Sequence, residues 1–301
     1  MILLSVLVDI VLPVFVIIGL GFVAARMLTI DAHTLSRVSL YVLAPALVYS
    51  KLVATTVTTT DLVQIVLFTV VGTLLVLALS WVVARLLRLD QSKESGFMLS
   101  SSFNNCGNYG LPLVLFAFGQ QGLERALIYF VTSAFLVNTL AVFVASRGKA
   151  RVTTSLSNIF KLPMIYAIAA AFLVRLGNVS VPALLSKPVG MVGEATIPVL
   201  LLLLGVQLAR SSFGRQIALI CAATVVKLVG AAVIGIALAA AMGLTGVTRQ
   251  TCIVEHATPT GVMTSILAIE FGTEPELATG VIFASTLASI ATMTVLVSWL
   301  S

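Results

Sequence analysis

The chain has 301 residues, of which 59% are hydrophobic and only 9% charged, and its mean hydropathy is +1.15; an average soluble domain carries roughly 25% charged residues. So few charges cannot clothe a water-soluble fold of this size, and the composition assigns an all-α polytopic membrane protein. The net charge of +6 would suit nucleic acid. The basic residues, however, sit in short connections between apolar runs, as the positive-inside bias requires, so the expected partner is the lipid bilayer and not nucleic acid.

A span needs about 20 apolar residues, and ten runs qualify: 4–25, 36–53, 62–86, 95–119, 123–146, 158–176, 186–209, 214–242, 248–271 and 277–300. The first has no basic n-region, holds Asp9 and Pro13, and reads as a span rather than a cleaved signal. Asp9 is close enough to its start for the interface to solvate it. Cys106, Cys221 and Cys252 all fall within runs and lack metal-like spacing, so neither a disulfide framework nor a zinc site is indicated. The odd-numbered connections and their flanks carry Arg26, Arg37, Arg85, Arg88, Lys93, Arg147, Lys149, Arg151, Lys161, Arg210 and Arg215; the even-numbered ones carry Lys51, Arg125, Arg175, Lys187 and Arg249. Eleven against five places the odd set in the cytoplasm and both termini outside, in an inner or plasma membrane.

An internal echo runs through the chain. Pro13 and Pro163 are 150 apart, Pro45 and Pro198 are 153 apart, and Pro112 and Pro259 are 147 apart. Five spans per half is an odd number, so residues 1–150 and 151–301 are expected to form two five-helix repeats, the second inverted relative to the first.

Spans four and nine each contain a stretch that lipid would not tolerate: Asn104-Asn105-Cys106-Gly107-Asn108-Tyr109-Gly110-Leu111-Pro112 and Glu255-His256-Ala257-Thr258-Pro259-Thr260-Gly261. Irregular backbone at membrane depth survives only where protein covers it or it lines a wet cavity. Paired interrupted segments point to a transporter's binding site. Proline costs least at the first position of a helix, so Pro112 and Pro259 are expected to start second half-helices, with Asn108 and Thr258 near their caps. Gly107, Gly110 and Gly261 would let the unwound backbone adopt conformations that side chains forbid. Two facing half-helix N-termini offer unpaired N–H groups and partial positive charge, which suits an anion, most simply a carboxylate. Asn104, Asn105 and Asn108 add uncharged donors and acceptors, and Asn138 and Gln207 either line the same cavity or bridge helices.

A lone charge at mid-bilayer costs about 2.5–3.5 kcal/mol on insertion scales. Glu255 therefore needs a proton, a pairing cation such as Lys227, or Na⁺ with Ser101, Ser102 or Asn105 as further oxygen ligands. His256 is the alternative titrating group, being the side chain that ordinarily titrates near neutral pH, and Glu194 is a weaker ion-path candidate. No Gly-x-Ser-x-Gly elbow, His-Glu-x-x-His or paired intramembrane aspartates appear, so an intramembrane hydrolase is disfavoured and no enzyme is expected.

The motifs Asn-x-x-Gly-Asn-x-Gly-Leu-Pro-Leu (to Leu113), Glu-x-Ala-Thr-Pro-Thr-Gly-Val (Glu255 to Val262) and Leu-Ala-x-Glu-Phe-Gly (Leu267–Gly272) resemble the auxin efflux carrier family, in particular its prokaryotic malate or malonate permease-like members. The resemblance implies ten spans as two inverted repeats, with helices four and nine crossing at their prolines. Helices 1, 2, 6 and 7 would be a dimerising scaffold, and helices 3–5 and 8–10 a transport unit moving elevator-fashion. It also implies a carboxylate contact at Asn108 or Asn105. Bile acid:sodium symporters share the fold and bind Na⁺ at an acidic residue comparable to Glu255, which leaves Na⁺ or H⁺ open as coupling ion. Plant carriers have a long loop between the halves; here only about residues 147–157 stand in its place.

Overall fold

The computed structural model describes residues 2–146, 163–177, 179–211 and 216–301. The expected connection 147–157, the start of the sixth run, and the basic residues Arg147, Lys149, Arg151, Lys161 and Arg215 lie outside the described residues. Among those described, the chain is built from helices, and the only extended pairing is an isolated bridge between Asn104 and Thr260.

Twelve helical segments follow one another: α1 (Ile2–Met27), α2 (32–53), α3 (Thr59–Leu86), α4 (Gln91–Ser102), α5 (106–118), α6 (120–145), α7 (Pro163–Leu176), α8 (Ala183–Ala209), α9 (Ile217–Ala241), α10 (Gly246–Ala257), α11 (Met263–Phe271) and α12 (Pro275–Leu300). The run Cys106–Ala145 is divided into α5 and α6 at Gly119, whose φ of 64° and ψ of −156° are open to glycine and closed to residues with a Cβ. Asp31, Thr58 and Asp90 cap the starts of α2, α3 and α4 by accepting backbone N–H bonds. Hydrogen bonds from the Lys93 backbone and side chain hold the exposed Asp90 carboxyl below its usual range.

Six runs are long and apolar enough to cross a membrane by length and composition: Ile2–Met27, Thr59–Leu86, Cys106–Ala145, Ala183–Ala209, Ile217–Ala241 and Pro275–Leu300. Ten such runs were expected. Most of the difference arises where the chain is interrupted: α4, α10 and α11 are half-length pieces of the broken stretches, and α7 is described only from Pro163; α2, which carries Arg37 and Lys51, is continuous yet not among the six. Polarity is arranged inside out. Leu20, Leu173 and Val233 are more than half exposed, whereas Lys227 and Glu255 are buried, as befits a body solvated by hydrocarbon chains.

The first-half prolines do not break their helices. Each of Pro13, Pro45 and Pro112 stands two residues beyond a π turn, at Leu7–Val11, Ser39–Leu43 and Cys106–Gly110. A proline ring clashes with the carbonyl four residues back and supplies no N–H; a widened turn absorbs both faults. Two of the second-half prolines behave differently: Pro198 follows a turn at Ala195 within α8, and Pro259 lies in extended chain, while the residues before Pro163 lie outside those described. The echo in sequence is thus not an echo in local structure.

Helix packing is densest within two sets, with α1 also touching α12 and α8 also touching the start of α5. α1 lies along α8, while α2 packs on α7 and α8; α3, α4, α6, α9, α10 and α12 pack among themselves. The α1–α8 contact is backbone against backbone. A Cβ on Gly21 would stand 2.2 Å from Leu202 O, and one on Gly205 2.0 Å from Ile18 O, the close approach that small residues permit between membrane helices.

The candidate anion site at the crossed breaks

The two interrupted stretches touch. Asn105 N donates to Pro259 O at 2.7 Å and Gly261 N to Phe103 O at 3.0 Å, forming a short antiparallel bridge. Backbone groups released by the ends of α4 and α10 find partners here: Thr260 Oγ1 donates to Ser100 O at 2.7 Å, Thr258 Oγ1 to Glu255 O at 2.7 Å, and Asn104 Nδ2 to the same Glu255 carbonyl at 2.7 Å. Unpaired backbone at this depth would cost several kcal/mol per group, so the hydroxyls and the bridge are what make the breaks tolerable.

The second half-helices do not start at the prolines: one starts upstream of Pro112 and the other downstream of Pro259. Helix α5 begins at Cys106, with Tyr109 N and Gly110 N both donating to Asn105 O, so Asn105 and not Asn108 occupies the capping position and Pro112 is already a turn inside. Thr258 closes α10 and does not open the next helix, which starts at Met263 after an extended 258–260. Pro259 therefore starts no helix. The three glycines also act differently from expectation. None has a positive φ; each permits a close approach. A Cβ would lie 2.7 Å from Phe130 Cε2 at Gly107, 2.1 Å from Glu255 Oε2 at Gly110 and 2.7 Å from Asn104 O at Gly261.

A cavity of about 200 Å³ opens beside the bridge. Its wall takes Asn105, Cys106, Gly107 and Asn108 from the first turn of α5, and Gly261, Val262 and Met263 from the approach to α11, so both half-helix N-termini face it. Asn104, Ser133 and Asn138 add polar groups. Gln207, on α8, reaches Asn108 Nδ2 with its Oε1 at 3.4 Å. None of the lining residues carries a formal charge. Asn105 Nδ2 is buried without a partner. Ser36, Ser39 and Met164 place the cavity toward the ends of α2, α7 and α8 nearest the basic connections.

Of the expected substrate contacts, Asn104, Asn105, Gly107, Asn108, Asn138 and Gly261 line this cavity, whereas Gly110, Pro112, Thr258, Pro259 and Thr260 do not; Pro259 and Thr260 belong to the bridge, and Thr258 bonds back to the end of α10. The expected ion group lies behind it. Both carboxyl oxygens of Glu255 are buried and without a hydrogen-bond partner, seated over Gly110. Lys227 forms no ion pair with Glu255 among the described residues; its Nζ donates to His256 O at 3.2 Å, a cation on the carbonyl end of α10. Ser101 and Ser102 donate to Ser80 Oγ at 3.0 and 2.9 Å. His256 Nδ1 shares a 2.9 Å hydrogen bond with Tyr129 Oη, which accepts from Asn104 Nδ2 at 3.1 Å. Ser133 Oγ donates to Asn104 Oδ1 at 3.2 Å, so a polar chain runs from the cavity wall to His256. Sequence reasoning missed Tyr129 and Ser133 and undervalued Gln207, a lone amide closing a leucine run.

Glu124 accepts from Thr55 Oγ1 at 2.8 Å and Thr56 N at 3.0 Å, tying the start of α6 to the connection after α2. Arg125, Asp61 and Thr248 form a second cluster joining α3, α6 and α10.

Comparison with known proteins shows the family of the chain. The family described as "Membrane transport protein" matches residues 6–297. A protein of Methanothermobacter thermautotrophicus named "Uncharacterized transporter" is 24% identical over 289 residues, covering 94% of this chain and 95% of that protein. An uncharacterised transporter of Methanocaldococcus jannaschii is 23% identical over 293 residues, at 94% and 95% coverage. A Rhizobium meliloti protein named "Putative malonate transporter" is 25% identical over 300 residues, at 94% and 92% coverage. The chain belongs to this membrane transport protein family, the auxin efflux carrier family.

Proposed function

We propose that the protein is a secondary transporter of a small organic anion, a mono- or dicarboxylate, held where the two broken helices cross. The observation that carries this is the uncharged cavity of about 200 Å³ onto which both half-helix N-termini open. Partial positive charge from two helix starts, with amides beside them, attracts a carboxylate without a buried lysine or arginine. The malonate named for the Rhizobium relative is a small dicarboxylate of a size for such a cavity. In this reading α4–α5 and α10–α11 each make one interrupted crossing, giving ten crossings as two inverted five-helix repeats. α1, α2, α7 and α8 form the stationary, dimerising scaffold and the remaining helices the moving unit. The cavity then faces the cytoplasm of a cell membrane, with both termini outside. Uptake and binding of mono- and dicarboxylates in liposomes, with and without Na⁺ and at two pH values, tests it; no carboxylate bound or moved under any of these conditions would refute it.

A second reading, a Na⁺-coupled symporter, is favoured by the two enclosed, partnerless oxygens of Glu255. It requires anion binding that depends on Na⁺ and loses that dependence in Glu255→Gln.

A further inference from the structure

Helix α8 lines the cavity with Leu200, Leu203 and one polar side chain, Gln207. Gln207 follows the leucine run of α8 and accepts from Asn108 Nδ2 over 3.4 Å, at the long end of what counts as a hydrogen bond. Both side chains keep partial access to the cavity. The surrounding wall has donors to spare: the N–H groups of Cys106, Gly107 and Asn108 in the first turn of α5, which make no backbone hydrogen bond among the described residues, and Asn105 Nδ2, whose residue is 6% exposed and which has no partner. Against that surplus, Gln207 Oε1 is the acceptor supplied to Asn108. A carboxamide oxygen and a carboxylate oxygen are both planar sp² acceptors, but charge-assisted hydrogen bonds are roughly twice as strong.

We infer that Gln207 is the substrate-site residue contributed by α8, and that its Oε1 occupies the place of a substrate carboxylate oxygen. An arriving anion takes over the Asn108 N–H and, in doing so, breaks the side-chain hydrogen bond between the crossover and α8. Occupancy then loosens that link, since a ligand shifts a conformational equilibrium by the difference in its affinity for the two states. The inference rests on the anion-transporter reading and adds to it the residue that competes with substrate.

The test uses the purified full chain in detergent, thermal unfolding as readout and malonate as probe. Gln207→Leu removes the competing acceptor and is expected to bind malonate about two- to tenfold more tightly than wild type, the equivalent of one net hydrogen bond. Gln207→Glu tethers a carboxylate in the site; it is expected to melt higher than wild type without ligand and to lose the malonate-induced shift. Unchanged or weaker malonate binding in Gln207→Leu overturns the inference, as does an unliganded Gln207→Glu that melts no higher than wild type. Should malonate stabilise neither wild type nor Gln207→Leu, the anion reading fails for that probe; the unliganded melting of Gln207→Glu still decides the role of Gln207, upholding it by a rise and overturning it by none.

Discussion

Replacing Gly110 by alanine tests how α5 and α10 are fitted together. The added Cβ would stand 2.1 Å from Glu255 Oε2, 2.7 Å from its Cδ and 2.8 Å from Oε1. Non-bonded heavy atoms settle at about 3.5 Å, so the carboxyl must withdraw by roughly 1 Å or more. Both oxygens are enclosed, and the movement is therefore into packed neighbours and not into solvent. Overpacking of this kind costs about 1–3 kcal/mol, which lowers the melting temperature by roughly 2–10 °C in a chain of this size. Thermal unfolding in detergent of wild type, Gly110→Ala, Glu255→Ala and the double variant forms the cycle. If the carboxyl is the obstacle, most of the Gly110→Ala penalty disappears in the Glu255→Ala background, a coupling of about 1–3 kcal/mol. An equal penalty in both backgrounds, or none in either, refutes the seating of Glu255 on Gly110.

Gly205→Ala sets a Cβ 2.0 Å from Ile18 O, and because backbone cannot rotate away, its destabilisation should reach or exceed the upper end of about 1–3 kcal/mol. Gly19→Ala meets nothing within 4 Å and should melt within about 0.5 kcal/mol of wild type; comparable losses in both would sink the close α1–α8 contact. Asn108→Ala should weaken carboxylate binding about five- to tenfold while leaving insertion and melting nearly unchanged, as loss of one surface-accessible donor implies; unaltered affinity in a titration removes Asn108 from the site. Thr56→Cys with Glu124→Cys, in a Cys221→Ser background, places two thiols across the contact that Glu124 makes with the connection after α2. A short, reducible bifunctional thiol reagent should then stop uptake into liposomes without stopping binding, and reductant should restore it. Uptake that continues at full rate after cross-linking shows that this contact need not open during transport.

Membrane residence, helical character and the location of the two interruptions were legible in the sequence, because each depends on local chemistry: the length of an apolar run, or a Gly-Pro-Asn cluster where lipid permits none. Which atoms the interruptions present was decided only by the tertiary structure. Pro112 looked like a helix start, yet the π turn Cys106–Gly110 carries the helix back to Asn105, since the relief of a proline clash depends on what the widened turn can pack against. Glu255 and Lys227 looked like a pair, yet one rests on Gly110 and the other on the His256 carbonyl; spacing along a chain does not say which faces of α9, α10 and α5 meet. Nothing in the leucine run of α8 marked Gln207; only the packing of α8 against the start of α5 sets its Oε1 3.4 Å from Asn108 Nδ2. Periodicity and composition are properties of a segment and can be read from it; the mutual approach of two backbones is a property of the pair, and exists only once the chain has folded.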